Sequence, residues 1–353
     1  MNKFHHSSYF PSIITDSSNI AEAYRKTRLG EGKYKTQASN YHCNYVDNNR
    51  RLIQELKDGS YRPGKYVEFK VYEPKERTIF APQYRDKIVQ HAINNVLAPY
   101  FKPYFISDSY ACIVGKGNQR AVWRLQIFMR QARYYFGDTY YIVKADVAKF
   151  FYTINREVVK GILAKFIFCP WTLSLLFTII DSSPGDIGLP LGNLTSQLLA
   201  NILMNELDQF SKRTLGMKYY LRYADDVFGF LPSKCEARDR LGEITRFTEK
   251  RLGLKMHPLK SDVIKPTNGL DALGFKIFPD KILLTNDSKK RIKRKLNKVE
   301  GLLEEGHGVR EIEQSLNGWL NFSNTGDNRD FIEHLLSKYS FLQLNRHNLF
   351  VIN

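Results

Sequence analysis

A chain of 353 residues is long enough for two or three domains around at least one large core. Lys and Arg number 53 against 36 acids, giving a net charge of +17 and a pI near 9.5, which points to a polyanionic partner, nucleic acid before membrane. The four cysteines (Cys43, Cys112, Cys169, Cys235) stand too far apart for a zinc site or a disulfide framework, and the most apolar run, Phe166 to Ile180, is broken by Pro170 and too short to span a bilayer. Met1 to His6 leads into no apolar run, so no signal peptide is expected and the expected location is the cytoplasm, a reducing compartment.

Residues 1 to about 60 read as a basic helical extension. One helix runs through Ala21 to Arg28 into a flexible loop, Gly30-Glu31-Gly32-Lys33. A second fits Val46 to Asp58, with Leu52, Ile53 and Leu56 on one side and Gly59 as its stop. From Tyr66 to Phe80 the alternation of Val67, Phe69 and Val71, then Thr78-Ile79-Phe80, predicts two strands around the turn Glu73-Pro74-Lys75-Glu76. Lys75 and Arg77 sit where such a ribbon can hold cations over a phosphate. A helix over Gln83 to Leu97, a loop over Ser107 to Gln119 and a helix over Val122 to Tyr134 follow.

Tyr140 to Ala145 predicts a strand ending in Asp146. The Gly- and Pro-containing loop Asp186 to Gln197 leads into a helix from Leu198 to Phe210, capped by Asn193, Thr195 or Ser196. Leu221 to Phe230 then predicts a hairpin with Asp225 and Asp226 at its tip, since Val, Phe and Tyr favour strands and Ala-Asp-Asp favours a turn. A helix fits Glu236 to Leu252, a strand and basic turn fit Leu254 to Ser261, and a hairpin around Pro279-Asp280 fits Leu270 to Leu284. Beyond Ser288, an amphipathic helix carries Lys289, Lys290, Arg291, Lys293, Arg294, Lys295 and Lys298, a cationic side suited to a phosphate backbone. Two more helices fit Ile312 to Phe322 and Phe331 to Leu344.

Two carboxylates about 4 Å apart repel by roughly 4 kcal/mol at an effective dielectric of 20. Solvent, a raised pKa or a cation must offset that, and Mg²⁺, which takes oxygen ligands and few protein carboxylates, suits such a pair. Adjacent strands of one sheet would bring Asp146 to Asp225 and Asp226. Two divalent ions held there can activate a primer hydroxyl and stabilise a leaving pyrophosphate, with Arg77 holding the triphosphate and Lys260 protonating the leaving group. A solvated turn at Asp225-Asp226, an N-capping role for Asp146 and a solvated basic face are the plain alternatives.

Tyr223-Ala224-Asp225-Asp226 resembles the catalytic box of reverse transcriptases, and other boxes follow in that family's order. Lys75-Glu76-Arg77-Thr78-Ile79 resembles the first fingers motif, and Ser109-Tyr110-Ala111 through Lys116-Gly117 the second. Asp146 to Phe151 resembles the box that supplies the first metal-binding Asp, with Phe151 as the steric gate against a ribose 2′-OH. Lys260 matches the Lys of the next palm motif, and Leu273-Gly274-Phe275 resembles the primer grip. The resemblance implies an α+β right-hand polymerase fold. Its parts are a basic helical extension (1–60), interleaved fingers and palm with an antiparallel sheet flanked by helices (61–284), and a helical thumb with a C-terminal tail (285–353).

It also implies two Mg²⁺ ions, replaceable by Mn²⁺, on Asp146, Val147, Asp225 and Asp226, and a nucleotide site including Lys75, Arg77, Ala148, Phe151, Leu191, Gly192 and Gln197. Group II intron-like reverse transcriptases carry Pro-Gln-Gly and then Ser-Pro where this chain has Pro190-Leu191-Gly192 and Ser196-Gln197. That departure, with Glu22 to Thr27 and Asn205 to Asp208, resembles the enzymes of diversity-generating retroelements. Those enzymes lack an endonuclease, protease or RNase H region after the thumb. They copy a template-repeat RNA into cDNA from a DNA or RNA primer and dNTPs, with errors at adenines, beside a small basic helical accessory variability determinant. Acidic patches near Glu300, Glu304 and Glu305 or on the N-terminal helices are candidate docking points for that partner. Rival expectations are a group II intron-like or phage-defence enzyme of ordinary fidelity, and an RNA-binding scaffold with an inactive polymerase fold.

Overall fold

The computed structural model describes residues 9–29, 36–72, 76–304, 310–345, 347 and 349–352, with the backbone alone for 300, 302–304, 310 and 311. Lys75, Glu305 and the loop from Gly30 to Lys33 lie outside the described residues, as do the side chains of Glu300 and Glu304.

The N-terminal third is helical: α1 (Phe10–Ile14), α2 (Ser17–Thr27), α3 (Thr36–Cys43) and α4 (Tyr45–Lys57). Asp16 caps α2 by accepting the Ser18 N–H. A two-stranded ribbon follows, β1 (Val67–Val71) against β2 (Arg77–Ala81), with Phe69 opposite Ile79. Helices α5 (Tyr84–Phe101) and α6 (Asn118–Phe136) lead to β3 (Tyr141–Asp146). Then come α7 (Phe150–Thr153), α8 (Arg156–Phe166), which Asn155 caps, and α9 (Pro170–Asp181), whose Pro170 begins the helix where its missing N–H costs nothing. The apolar run from Phe166 to Ile180 is thus the last residue of α8, a three-residue link and most of α9, each helix buried along one face.

Helix α10 (Leu194–Gln209) is the central rod, with twelve of its sixteen residues buried. Its first N–H is satisfied by Gln90 of α5, which accepts from Leu194 at 2.9 Å, so none of the expected caps is used. Asn193 instead donates to the Tyr66 hydroxyl at 2.8 Å. The hairpin β4 (Tyr220–Tyr223) and β5 (Asp226–Leu231) follows, then α11 (Lys234–Phe247), continued by a wider turn to Leu252.

Between Leu254 and Ser261 the structure differs from expectation. Only Met256 bridges Val147, and the strand that joins the sheet is β6 (Asp262–Ile264), beyond the basic turn. Likewise Leu270 to Leu284 holds three strands, β7 (Leu270–Ala272), β8 (Phe275–Ile277) and β9 (Ile282–Leu284), because Leu273 and Gly274 form a second tight turn at φ +54° and +90°. The C-terminal part packs α12 (Asn286–Glu304), α13 (Arg310–Ser323) and α14 (Arg329–Lys338) around their own core. The chain then leaves the helix after Lys338, and β10 (Leu342–Leu344) pairs with β11 (Phe350–Ile352) where helix had been expected to Leu344.

The main sheet is antiparallel, in the order β4-β5-β3-β6. Strand alternation gives it two buried faces. Val143, Ala145, Val227 and Tyr220 face the large core that includes α10, whereas Tyr140, Ile142, Leu221, Phe228 and Phe230 face α6 and the β7–β9 sheet. This is an α+β fold built on an antiparallel sheet flanked by helices. Helix α6 also ties the sheet to the C-terminal part and to the β8–β9 turn. Gln119 donates to the Asn321 carbonyl (3.1 Å), Trp123 to Thr325 (2.8 Å), Gln126 to Phe278 (3.2 Å) and Arg130 to Pro279 (2.6 Å).

Candidate active site

Pairing of β3 with β5 sets Asp146 directly opposite Asp226. Directly opposed residues of antiparallel strands carry their Cβ atoms about 5 Å apart on one face, where like charges destabilise the pair. The face is that of Ile142 and Phe228, but the two carboxylates occupy its open end, past the apolar cover. Asp225 lies in the two-residue loop between Tyr223 and Asp226, the tip expected from sequence, and Ala224 beside it holds a left-handed φ of +54°.

Burial, then the charges of Asp225 and Asp146, push the Asp226 carboxyl up to about 7, against pulls from Lys144 and Lys260. Burial also raises Asp225, reinforced by Asp146 and opposed by Lys260 and Arg77. Lys260 Nζ meets Asp146 Oδ2 at 3.0 Å, and His257 N–H donates to the Asp146 carbonyl at 2.7 Å. Sequence reading missed Ser261, whose hydroxyl accepts the Asp146 N–H at 3.3 Å, and Lys144, whose ammonium reaches the Asp271 carbonyl at 2.6 Å.

Among the described residues no three acidic, His or Cys side chains form a ready-made metal cage. The donor set still fits Mg²⁺, which keeps several waters and takes one or two carboxylates plus substrate oxygens. The half-buried, mutually repelling carboxylates are only partly balanced by Lys260, and a divalent ion would supply the rest of the positive charge. A sign follows for the metal-free protein. Between about pH 4 and 7, the folded chain keeps a proton on Asp226 that the unfolded chain, at 3.8, has released. Stability therefore falls as pH rises through that window. With EDTA, the melting temperature is expected to be lower at pH 7.5 than at pH 5, and Mg²⁺ should raise it at pH 7.5 and barely at pH 5. Equal melting temperatures in EDTA would contradict this charge arrangement.

Other expected site residues distribute around this centre. Arg77 begins β2 and is exposed, near enough to lower the Asp225 pKa. Val147 is buried and bridged to Met256, and Ala148 N–H donates to the Lys255 carbonyl at 2.9 Å. Phe151 is half-buried, its carbonyl accepting from Leu189 at 2.8 Å. The Leu191 carbonyl accepts the Phe80 N–H at 2.9 Å, stitching the 190–193 loop to the β2 ribbon. Gln197 faces elsewhere, into a cavity of about 660 Å³ shared with Asn19, Glu22, Lys26 and Val114.

A second cavity, of about 600 Å³, brings Asp226 and Lys144 together with Leu273, Gly274, Lys289 and Arg291. Phe275 lies beneath that turn, fully buried and packed on Phe322, so it supports the turn from inside. The cations of α12 divide. Lys290, Arg291, Arg294 and Lys298 are exposed, whereas Lys289 and Lys293 lie over the Phe331 ring at 5.1 and 5.6 Å and Lys295 bonds Ser315.

The family described as reverse transcriptase (RNA-dependent DNA polymerase) matches residues 70–277. Protein YkfC of Escherichia coli (strain K12) is 25% identical over 217 residues, 56% of this chain and 55% of YkfC. Group II intron-encoded protein LtrA of Lactococcus lactis subsp. cremoris is 27% identical over 173 residues, 46% of this chain and 28% of LtrA. This chain thus spans 55% of the length of one curated relative and 28% of the other. Apo telomerase from Candida tropicalis, truncated from its C-terminal domain, has a TM-score of 0.48 at 12% identity over 68% of this chain and 60% of that chain. Telomerase from Candida albicans with a telomeric RNA fragment has a TM-score of 0.46 at 13% identity over 64% of this chain and 46% of that chain. The match over residues 70–277 takes in more than half of the 353 residues and encloses Asp146, Asp225, Asp226 and Lys260, and the chain belongs to the reverse transcriptase family.

Proposed function

We propose that this chain is an RNA-directed DNA polymerase that extends a DNA or RNA primer on a template RNA with dNTPs, and that it serves a diversity-generating retroelement in mutagenic retrohoming. The observation that carries the polymerase reading is the register that sets Asp146 opposite Asp226, with Asp225 in the adjoining turn. Two Mg²⁺ or Mn²⁺ ions on Asp146, Asp225 and Asp226, with the Val147 carbonyl, would supply activation of the primer hydroxyl and charge neutralisation at the pyrophosphate. Lys260, already paired with Asp146, is placed to give a proton to the leaving group. Arg77 and Lys75 hold the triphosphate, while Ala148, Phe151, Leu191 and Gly192 shape the nucleotide and template side; Gln197, which lines the cavity beside Asn19 and Glu22, stands apart from them. The cavity from Asp226 to Arg291 is the natural path for the primer end, with the turn at Leu273-Gly274 as its grip. The exposed stripe of Lys290, Arg294 and Lys298, four residues apart, suits a phosphate backbone.

Leu191 supports the retroelement reading, since the resembling enzymes of ordinary fidelity carry Gln there. A Gln side chain can hydrogen-bond near the sugar of the incoming nucleotide, whereas Leu only packs. A missing positioning hydrogen bond is worth on the order of 1 kcal/mol, several-fold in nucleotide selection. The 27% identity to LtrA favours the second reading, a group II intron-like enzyme of ordinary fidelity. Sequencing cDNA copied from one RNA by the natural chain and by Leu191→Gln separates them. Errors concentrated at template adenines, and reduced several-fold in Leu191→Gln, are expected. Uniformly low error in the natural chain would favour the second reading. Unchanged adenine error in a polymerising Leu191→Gln variant would place infidelity elsewhere, as in the RNA itself. The accessory variability determinant belongs to the same reading. Two cationic proteins repel at long range, so local complementarity or bridging RNA must join them.

A further inference from the structure

Behind the hairpin, on the sheet face away from the carboxylates, lies an ion pair with no part in the chemistry above. Along β4, Arg222 alternates with Leu221 and Tyr223 and is paired with Val227, so its side chain turns toward α10. There it meets Asp208, and both side chains are wholly buried. The guanidinium is engaged on every side. Nε and Nη2 each donate to Asp208 at 2.8 Å, Nη2 also to the Ser109 hydroxyl at 3.0 Å, and Nη1 to Asn201 Oδ1 at 3.1 Å and the Ala224 carbonyl at 3.0 Å. Tyr220 donates its hydroxyl to the same Asp208 carboxylate at 2.9 Å. The Arg222 main chain extends the network, with its N–H donating to the Asp108 carbonyl and its carbonyl accepting from Tyr110 N–H, both at 3.0 Å.

A buried ion pair is a weak source of stability, because desolvation cancels most of the attraction and an apolar pair of similar volume often serves as well. This pair does something an apolar pair cannot. Ala224 holds a left-handed φ, which costs an L-residue about 1–2 kcal/mol and persists only where its surroundings over-determine it. The turn also presents two carboxylates that repel each other. The Nη1 bond to the Ala224 carbonyl fixes that turn from behind, and Asn201 at Nη1 with Asp208 and Ser109 at Nη2 fix the guanidinium.

We propose that Arg222, anchored by Asp208, is a positioning residue for the metal-binding carboxylates: it holds the Ala224 carbonyl, sets where Asp225 stands, and ties that turn to the 108–110 loop. The inference rests on the reading that Asp146, Asp225 and Asp226 take divalent ions. The probe is Mn²⁺ alone, added to the full-length chain without nucleic acid, with free ion followed by electron paramagnetic resonance. Melting temperature is read in parallel in EDTA. Arg222→Lys keeps the charge but loses the fork, and Asn201→Ala removes one anchor of Nη1, together with the Asn201 bond to the Ala111 carbonyl. Mn²⁺ affinity is expected to fall about ten-fold in Arg222→Lys and about three-fold in Asn201→Ala, the scale of one or two lost positioning hydrogen bonds. The double variant Arg222→Met with Asp208→Leu removes both buried charges but leaves Tyr220, Ser109 and Asn201 without their partners, so it should melt below the natural chain and, where folded, bind Mn²⁺ as poorly as Arg222→Lys. Natural Mn²⁺ affinity in any folded Arg222 variant overturns the proposal. So does natural affinity in Asn201→Ala, even where the Arg222 variants do not fold. A natural chain that takes up no Mn²⁺ would instead remove the metal reading beneath it.

Discussion

Asp226→Ala is expected to abolish primer extension, by roughly 10³-fold or more, while leaving RNA affinity within about two-fold of the natural chain. The two effects separate because the groups are separate. Asp226 is an acid at the open end of the sheet, opposite Asp146, whereas the exposed cations of α12 lie on another element. A third effect has the opposite sign to ordinary damage. The Asp226 carboxyl is pushed up to about 7 by burial and by two neighbouring acids, so at pH 7.5 it is held charged at a cost to the fold. Removing it should raise the melting temperature in EDTA, the usual sign of a site that trades stability for function. Primer extension, filter binding and thermal melts on one preparation check all three. Full-length cDNA from pure, folded Asp226→Ala protein would sink the assignment of this carboxylate.

The second large effect concerns Gly192. Its φ is +116°, and a Cβ there would stand 2.8 Å from the Phe80 carbonyl and 3.1 Å from Ile79 Cγ2. Both neighbours lie on β2, where the Phe80 N–H donates to Leu191. Gly192→Ala must therefore push the loop off the ribbon as well as strain the backbone. A loss of about 2 kcal/mol in stability and a rise of about ten-fold or more in KM for dNTP are expected. Gly59→Ala is the control. Its φ is +72° with nothing within 4 Å of the added methyl, so it carries only the strain of about 1 kcal/mol and should leave KM alone. Equal KM values for Gly192→Ala and the natural chain would show that the loop does not border the nucleotide.

Much of this arrangement is legible from residue order. Asp225 and Asp226 are set in a hairpin by their apolar flanks, and Asp146 ends a strand because a β-branched, aromatic run stops there. What escapes a linear reading is what depends on partners. Strand β6 is three residues long, too short for Val263 and Ile264 alone to mark it out, and its pairing with β3 makes it a strand. The tight turn at Leu273-Gly274 places a Leu at positive φ, which composition does not suggest. Residues after Lys338 read as helix because Leu342 and Leu344 continue an apolar spacing, but they pair with β11 instead. Arg222 carried a usable signal. A charged residue at an inward strand position between Tyr220 and Val227 demands a buried counter-charge, and Asp208 on the helix before it supplies one. Lys289 and Lys293 look like their cationic neighbours in sequence, and only Phe331 on a different helix distinguishes them.

The hydrogen bonds from α6 to the β8–β9 turn and to the C-terminal part are one-sided in a way that bears on how freely this protein can change. Gln119, Trp123, Gln126 and Arg130 all donate from side chains, and Asn321, Thr325, Phe278 and Pro279 all accept through main-chain carbonyls. A carbonyl is common to every amino acid. Mutational drift at the four accepting positions can therefore leave the junction intact as long as the backbone path is kept. The four donors have no such latitude, since each needs its own N–H at its own reach. Tolerance to substitution at this junction is in that sense asymmetric, with the helix holding the constraint and the part it grips left open to variation.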